Sequence, residues 1–226
     1  MKKHLICVIL ALAFNLAQAQ NSETRNLGTF DQIRVSQSIK VNLRQGAANE
    51  AKIETRGIDV DRVETDIEGS TLYIRMKKGN YSSMDVNIEL SYSDELKEIS
   101  VSSSASISGE DAIATEDFEI RASSSGKANL VLNVRYLEVK ISSSAKVELS
   151  GKAKYQDLDI SSSGKLYAYN MDSENVEANI SSSGKAQVTA HRSIEGRASS
   201  SGKVYYRGAP EKVDVSANSS GKFVKD

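Results

Sequence analysis

From residue 99 onward, apolar and polar positions alternate with a period of two, and a short polar run interrupts the alternation at regular intervals. The run reads VSSSAS at 101–106, ASSSGK at 122–127, ISSSAK at 141–146, ISSSGK at 160–165 and 180–185, ASSSGK at 198–203 and ANSSGK at 217–222. Its first polar residues are Ser102, Ser123, Ser142, Ser161, Ser181, Ser199 and Asn218, spaced by 18 to 21 residues and centred near 19. A self-similar unit of that length is too short for a globular domain and too long for one strand. It predicts one coil of a parallel β-helix, short strands joined by corners, each coil stacked on the next at about 4.8 Å.

The phase of the alternation places the core. Val101, Ala122, Ile141, Ile160, Ile180, Ala198 and Ala217 stand just before the runs, and Ile107, Ala128, Val147, Leu166, Ala186, Val204 and Phe223 just after them. Ile99, Ile120, Val139, Leu158, Ala178, Gly196 and Val215 share the same parity, so all of these point into one interior. The same counting sends the middle serines (Ser124, Ser143, Ser162, Ser182, Ser200, Ser219) inward. It makes the glycine of each run the residue that turns the corner, although Ala105 and Ala145 replace it in two runs.

Two outward columns are charged. Glu98, Glu119, Glu138, Asp157, Glu177, Glu195 and Asp214 precede the runs, and Lys127, Lys146, Lys165, Lys185, Lys203 and Lys222 close them, with Ser106 as the exception. In-register stacking turns these into an acidic and a basic stripe. One reading is protective, since rows of charge keep a sheet from pairing with other chains. The other is ligand binding, with divalent cations on the carboxylates or an anionic glycan on the lysines.

Residues 27–95 are β-like but less regular: FDQIRVSQSIKVNLRQG, AKIETRG, VETDIEGSTLYIRMKK and MDVNIELSY, with a hairpin expected around Gly69. They form either an irregular start of the solenoid or a cap over its first coil, because terminal coils expose unpaired edges. At the other end the chain stops just after a repeat, so the last coil is shielded by its charges or serves as an interface for self-association.

The opening MKKHLICVILALAFNLAQAQ has a basic start, an apolar run and a small-x-small site at Ala17–Ala19. It predicts a signal peptide over 1–19, leaving one β-solenoid domain over 20–226 with regular repeats from 96. Cys7, the only cysteine, lies in that leader, which leaves no disulfide or cysteine metal site afterwards. No later segment reads as a membrane span. The formal net charge of −1 argues against nucleic-acid binding by bulk charge. An exported protein is expected, periplasmic, outer-membrane-associated or extracellular, with a cell-surface glycan or an envelope protein as partner.

Catalytic patterns fare poorly. Ser162–Lys165 matches the S-x-x-K of serine acyl enzymes, but the match recurs in coil after coil, whereas a nucleophile is a single site. A phosphate loop would need a second glycine, a following Ser or Thr and a helix. His191 stands alone, and no metal ligand set or cofactor motif is present. β-Helices that cleave polysaccharides use carboxylates on an outer face, so a glycan-active enzyme on the acidic face stays open, as does a self-assembling envelope scaffold. Tyr167, Tyr169, Tyr205 and Tyr206 are outer-face or core-filling aromatics, or a surface for sugar rings.

The opening FDQIRVSQSIKVNLRQG, the recurrent ISSSGK and the closing VYYRGAPEKVDVSANSSGK resemble the GIN domain family of auto-transporter adhesin heads (DUF2807) over most of residues 27–224. That resemblance implies a right-handed parallel β-helix-like fold and an exported, adhesin-like envelope protein of Bacteroidetes-type bacteria. It supplies no catalytic residue, and the chain carries no translocating barrel.

Overall fold

The computed structural model describes residues 21–81 and 83–226. The leader expected over 1–19, with Cys7, lies outside the described residues. The chain forms β1 (Asn21–Asn26), β2 (Gln32–Val35), β3 (Lys40–Gln45), β4 (Glu50–Arg56), β5 (Val63–Glu68), β6 (Thr71–Met76), β7 (Asp85–Tyr92) and β8 (Glu98–Val101). There follow β9 (Ser106–Ala122), β10 (Lys127–Ile141), β11 (Lys146–Ile160), β12 (Lys165–Ile180), β13 (Lys185–Thr189), β14 (Ser193–Ala198), β15 (Lys203–Arg207), β16 (Lys212–Ala217) and β17 (Lys222–Lys225). From β8 onward each strand pairs in parallel with its counterpart one coil away, which makes a β-solenoid with a spacing near 19 residues.

The inward ladder is as the alternation predicts. Ile99, Ile120, Val139, Leu158 and Ala178 stack through paired registers and are fully buried. Val134 and Leu137 both face inward, three positions apart, so the alternation slips a step there and leaves Tyr136 exposed between them.

The corners differ from expectation in two ways. The middle serines do not face the core: Ser124, Ser143, Ser162, Ser182, Ser200 and Ser219 are all exposed. Nor is glycine the left-handed residue. Both central serines are, as at Ser124 (φ 48°) and Ser125 (φ 63°), while Gly126 keeps an ordinary φ and donates its N–H back to Ser123 O at 2.8 Å. Two consecutive positive φ angles closed by an i+3 to i hydrogen bond define a type I′ turn. Parity counting fails here because the period-two rule holds only for extended backbone.

Left-handed backbone costs a non-glycine residue about 1–2 kcal/mol. The stack offsets it. Ser125 donates its N–H to Ser143 O, Ser144 to Ser162 O and Ser163 to Ser182 O, each at 3.0 Å. Ser123 N–H reaches back to Val101 O at 3.0 Å and Lys127 N–H to Ala105 O at 2.9 Å. The inter-coil ladder therefore runs through the corner without a break, and each corner holds its neighbours in the same conformation. Glycine is needed for close approach: a Cβ on Gly126 would sit 2.5 Å from Val101 O. At Ala105 and Ala145 the spacing admits a methyl, which is fully buried.

The sequence from Ser36 to Lys40 is a corner of the same kind, with Gln37 (φ 62°) and Ser38 (φ 61°) in the left-handed positions. β2 and β3 pair in parallel with β8 and β9 on one side and with β6 and β7 on the other. Regular coiling thus begins inside the segment expected to be irregular. The chain starts in the second coil, moves outward to build the first from β6 and β7, and then returns. Antiparallel strands close that end: β5 on β6 through the hairpin at Gly69, β4 on β7, and β1 on β4. Asn49 pins this cap, donating to Gly28 O (2.9 Å) and Asp94 Oδ2 (2.6 Å) and accepting from Ser93 N–H (2.8 Å).

A β-branched residue tolerates positive φ poorly. Ser162→Val is expected to lower stability by about 1–3 kcal/mol in a denaturant titration, whereas Ser162→Gly stays close to wild type.

Candidate functional site

Both charged columns exist. Glu98, Glu119, Glu138, Asp157, Glu177, Glu195 and Asp214 are consecutive register partners from coil to coil. So are Lys127, Lys146, Lys165, Lys185, Lys203 and Lys222. Lys40 joins the basic column through Ser106, a member visible in the sequence only if VSQSIK is aligned with ISSSGK.

The columns differ in how their charge is balanced. Three of the seven acids are compensated by an adjacent outward column that contains Arg34, Arg121 and Lys140. Glu98 lies 3.7 Å from Arg34 and 3.6 Å from Arg121, Glu119 2.6 Å from Arg121 and 3.2 Å from Lys140, and Glu138 pairs with Lys140. Glu195 meets Lys212 at 2.9 Å. In the middle coils that adjacent column reads Asp159 and Asn179, so Asp157 and Glu177 have no ion-pair partner within 4.0 Å among the described residues. Burial, and then the charges of Glu177 and Glu138, push the Asp157 carboxyl above the usual range.

These acids border a groove of about 640 Å³ that is also lined by Tyr136 and Tyr155. The two rings stack at 4.9 Å with 8° between their planes. Among the described residues no group of three or more His, Cys, Asp and Glu is arranged to hold a metal ion. The acids lie in file along the groove rather than converging on one point.

The lysines are largely uncompensated. Lys40 pairs with Asp85 at 2.7 Å and Lys146 reaches Glu148 at 3.4 Å, but Lys127, Lys165, Lys185, Lys203 and Lys222 have no carboxylate within 4.0 Å among the described residues. On one side the column is bordered by the exposed corner serines. On the other stand Asn129, Glu148, Tyr167, Gln187 and Tyr205, register partners in turn. Lys146 and Lys185 lie over the Tyr167 ring at 4.8 and 5.9 Å, and Lys185 over Tyr205 at 4.8 Å. Such contacts hold ammonium groups on an aromatic surface without cancelling their charge. Arg207 covers Tyr169 at 3.9 Å, and the Tyr169 hydroxyl donates to Asp226. Burial and that carboxylate push the Tyr169 phenol up to about 12, so it stays protonated at physiological pH.

The catalytic patterns gain no support. The serines of each S-x-x-K are turn residues on a solvent-facing ridge. His191 makes an exposed pair with Asp172 at 2.5 Å.

The family model "Putative auto-transporter adhesin, head GIN domain" (DUF2807) matches residues 29–210. The chain belongs to this family. Solved structures share the GIN-domain fold. A "putative adhesin" from Bacteroides fragilis NCTC 9343 is 20% identical, with a TM-score of 0.82 over 93% of this chain and 98% of that one. A "putative adhesin" from Parabacteroides merdae ATCC 43184 is 18% identical, TM-score 0.74, over 92% and 96%. A "putative lipid binding protein" from Parabacteroides distasonis ATCC 8503 is 23% identical, TM-score 0.72, over 92% and 96%. No curated protein matches the chain. No helix among the described residues is long and apolar enough to cross a membrane.

The raised Asp157 carboxyl has a testable sign. Its folded pKa lies above the unfolded value, so its charged form opposes folding above that folded pKa, and the penalty disappears as pH falls through it. Asp157→Asn is expected to raise the melting temperature at neutral pH, with the gain lost in acid below the ordinary carboxylate range.

Proposed function

We propose that this GIN-domain chain is an exported, non-enzymatic binding module of the bacterial cell envelope that holds an anionic glycan along its lysine column. The observation that carries this reading is the contrast between the columns: Glu98, Glu119, Glu138 and Glu195 are paired with neighbouring cations, whereas Lys127, Lys165, Lys185, Lys203 and Lys222 face no carboxylate within 4.0 Å among the described residues. Uncompensated like charges at about 4.8 Å pitch repel one another. An anionic polymer lying along the column relieves that repulsion at several coils together.

The chemistry suits an extended acidic polysaccharide. Each exposed lysine–anion contact is worth only about 0.2–1 kcal/mol, so useful affinity requires a ligand that meets several lysines at once. Tyr167 and Tyr205, half-buried beside the column, hold Lys146 and Lys185 against their rings and so keep those ammonium groups in line for such a ligand. The repetition that argues against a nucleophile suits such a ligand, because a polymer with repeating charge needs a receptor with repeating charge. The family membership supports the adhesin-like part of the reading.

The test is binding of the purified protein to a polyuronate and to a neutral glucan immobilised side by side. Binding to the polyuronate is expected, weakening as salt rises. The double substitution Lys165→Gln and Lys185→Gln should weaken it by about tenfold, while Lys140→Gln, beside the acids, should not. Equal binding of both polymers, or no loss in the double variant, would overturn the assignment. Turnover of the polymer would do the same.

A further inference from the structure

The two ends of the solenoid are finished differently. β1, β4 and β5 cover the N-terminal end, where β1 and β5 are outermost; β1 is largely exposed and polar, with Glu23 and Arg25 paired along it. At the other end, among the described residues, β16 and β17 have hydrogen-bonded neighbours on one side only, β14 and β15. Among the described residues nothing packs over their inward side chains. Val213 is 50% exposed, Ala217 is exposed, and Val215 and Phe223 are only partly covered.

We propose that this edge joins a second copy of the chain head to head, about a two-fold axis through the corner at Asn218–Gly221. This inference is independent of the glycan assignment. β16 runs into the corner and β17 runs away from it, so a two-fold axis along the corner's bisector exchanges the two arms. It lays β16 of one copy on β17 of the other, and the reverse, and both pairings are antiparallel. The unpaired N–H and C=O groups of the two arms then satisfy one another. With the register centred on Ser219, Val215 faces Phe223 of the partner subunit and Ala217 faces Gly221 of the partner subunit. Inward side chains meet inward side chains, and the two interiors become continuous.

Charge agrees with this arrangement. The basic column ends at Lys222 on one arm and the acidic column at Asp214 on the other, and neither has an ion pair within 4.0 Å among the described residues. Exchanging the arms sets Lys222 beside Asp214 of the partner subunit, one diagonal position away. Each lysine column thus runs into an acidic column, and like charges do not meet at the joint. A head-to-tail stack would instead set this apolar edge on the charged cap strands. The closed dimer sets the two lysine columns on the two faces that flank the corner.

Sedimentation velocity on the purified chain across the micromolar range is expected to show a monomer–dimer equilibrium, and the β16 and β17 amides should gain hydrogen-exchange protection as dimer forms. Val213→Lys with Ala217→Lys adds charge at two positions exposed in the monomer, so folding persists by circular dichroism while the dimer is lost. A wild-type monomer at every concentration would leave the edge to some other partner and overturn the proposal. Growth beyond dimers, or a dimer untouched by the double variant, would overturn it as well.

Discussion

The hydrogen-bond ladder that continues through each serine corner is the interaction on which the structure depends. A parallel solenoid must turn its chain without breaking inter-coil pairing, since every unpaired peptide group near the core carries a desolvation cost. The type I′ geometry achieves this at Ser124–Ser125 and its equivalents by placing two residues in the left-handed region. An isolated corner of this kind would be unfavourable. In a stack each corner both gives and receives hydrogen bonds, so its strain is shared out along the axis.

Registers locked in this way explain the charged faces. Once Ser125 is bonded to Ser143, Lys127 must stand over Lys146 and Glu119 over Glu138. A solenoid has no freedom to stagger like charges. It can only neutralise them from an adjacent column, as Arg121 and Lys140 do for the acids, or leave them for something outside the chain. The lysine column is of the second kind, and its aromatic neighbours hold the ammonium groups in place without removing their charge.

The same stacking concentrates the unsolved edges at the two ends. The N-terminal end is closed by a change of strand direction, from parallel coils to antiparallel cap strands, with Asn49 tying three segments together. The interior also thins toward the other end, where Ala178 and Gly196 follow Ile120, Val139 and Leu158 in one inward column. With less apolar area to bury, the last coils depend more on ladder hydrogen bonds and on surface contacts such as Tyr169 with Arg207 and Asp226.

Much of this was legible in the chain. Period-two alternation picks out the buried ladder from Ile99 to Ala178, and the near-19-residue repeat implies stacking and therefore the existence of both charged columns. Those properties follow from local backbone geometry and from repetition, which a linear pattern carries in full. Three features did not. The middle serines face solvent because a turn with two left-handed residues does not obey strand parity. The coil at Ser36–Lys40 lies between β6–β7 and β8–β9 because pairing partners are chosen across 39 to 66 residues of sequence. The unequal balance of the two columns depends on which cations the register brings beside which acids. Repetition in the sequence thus specified the coil and its faces, and the three-dimensional stack alone decided which face keeps its charge, because neutralisation is a contact between columns and not a property of either one.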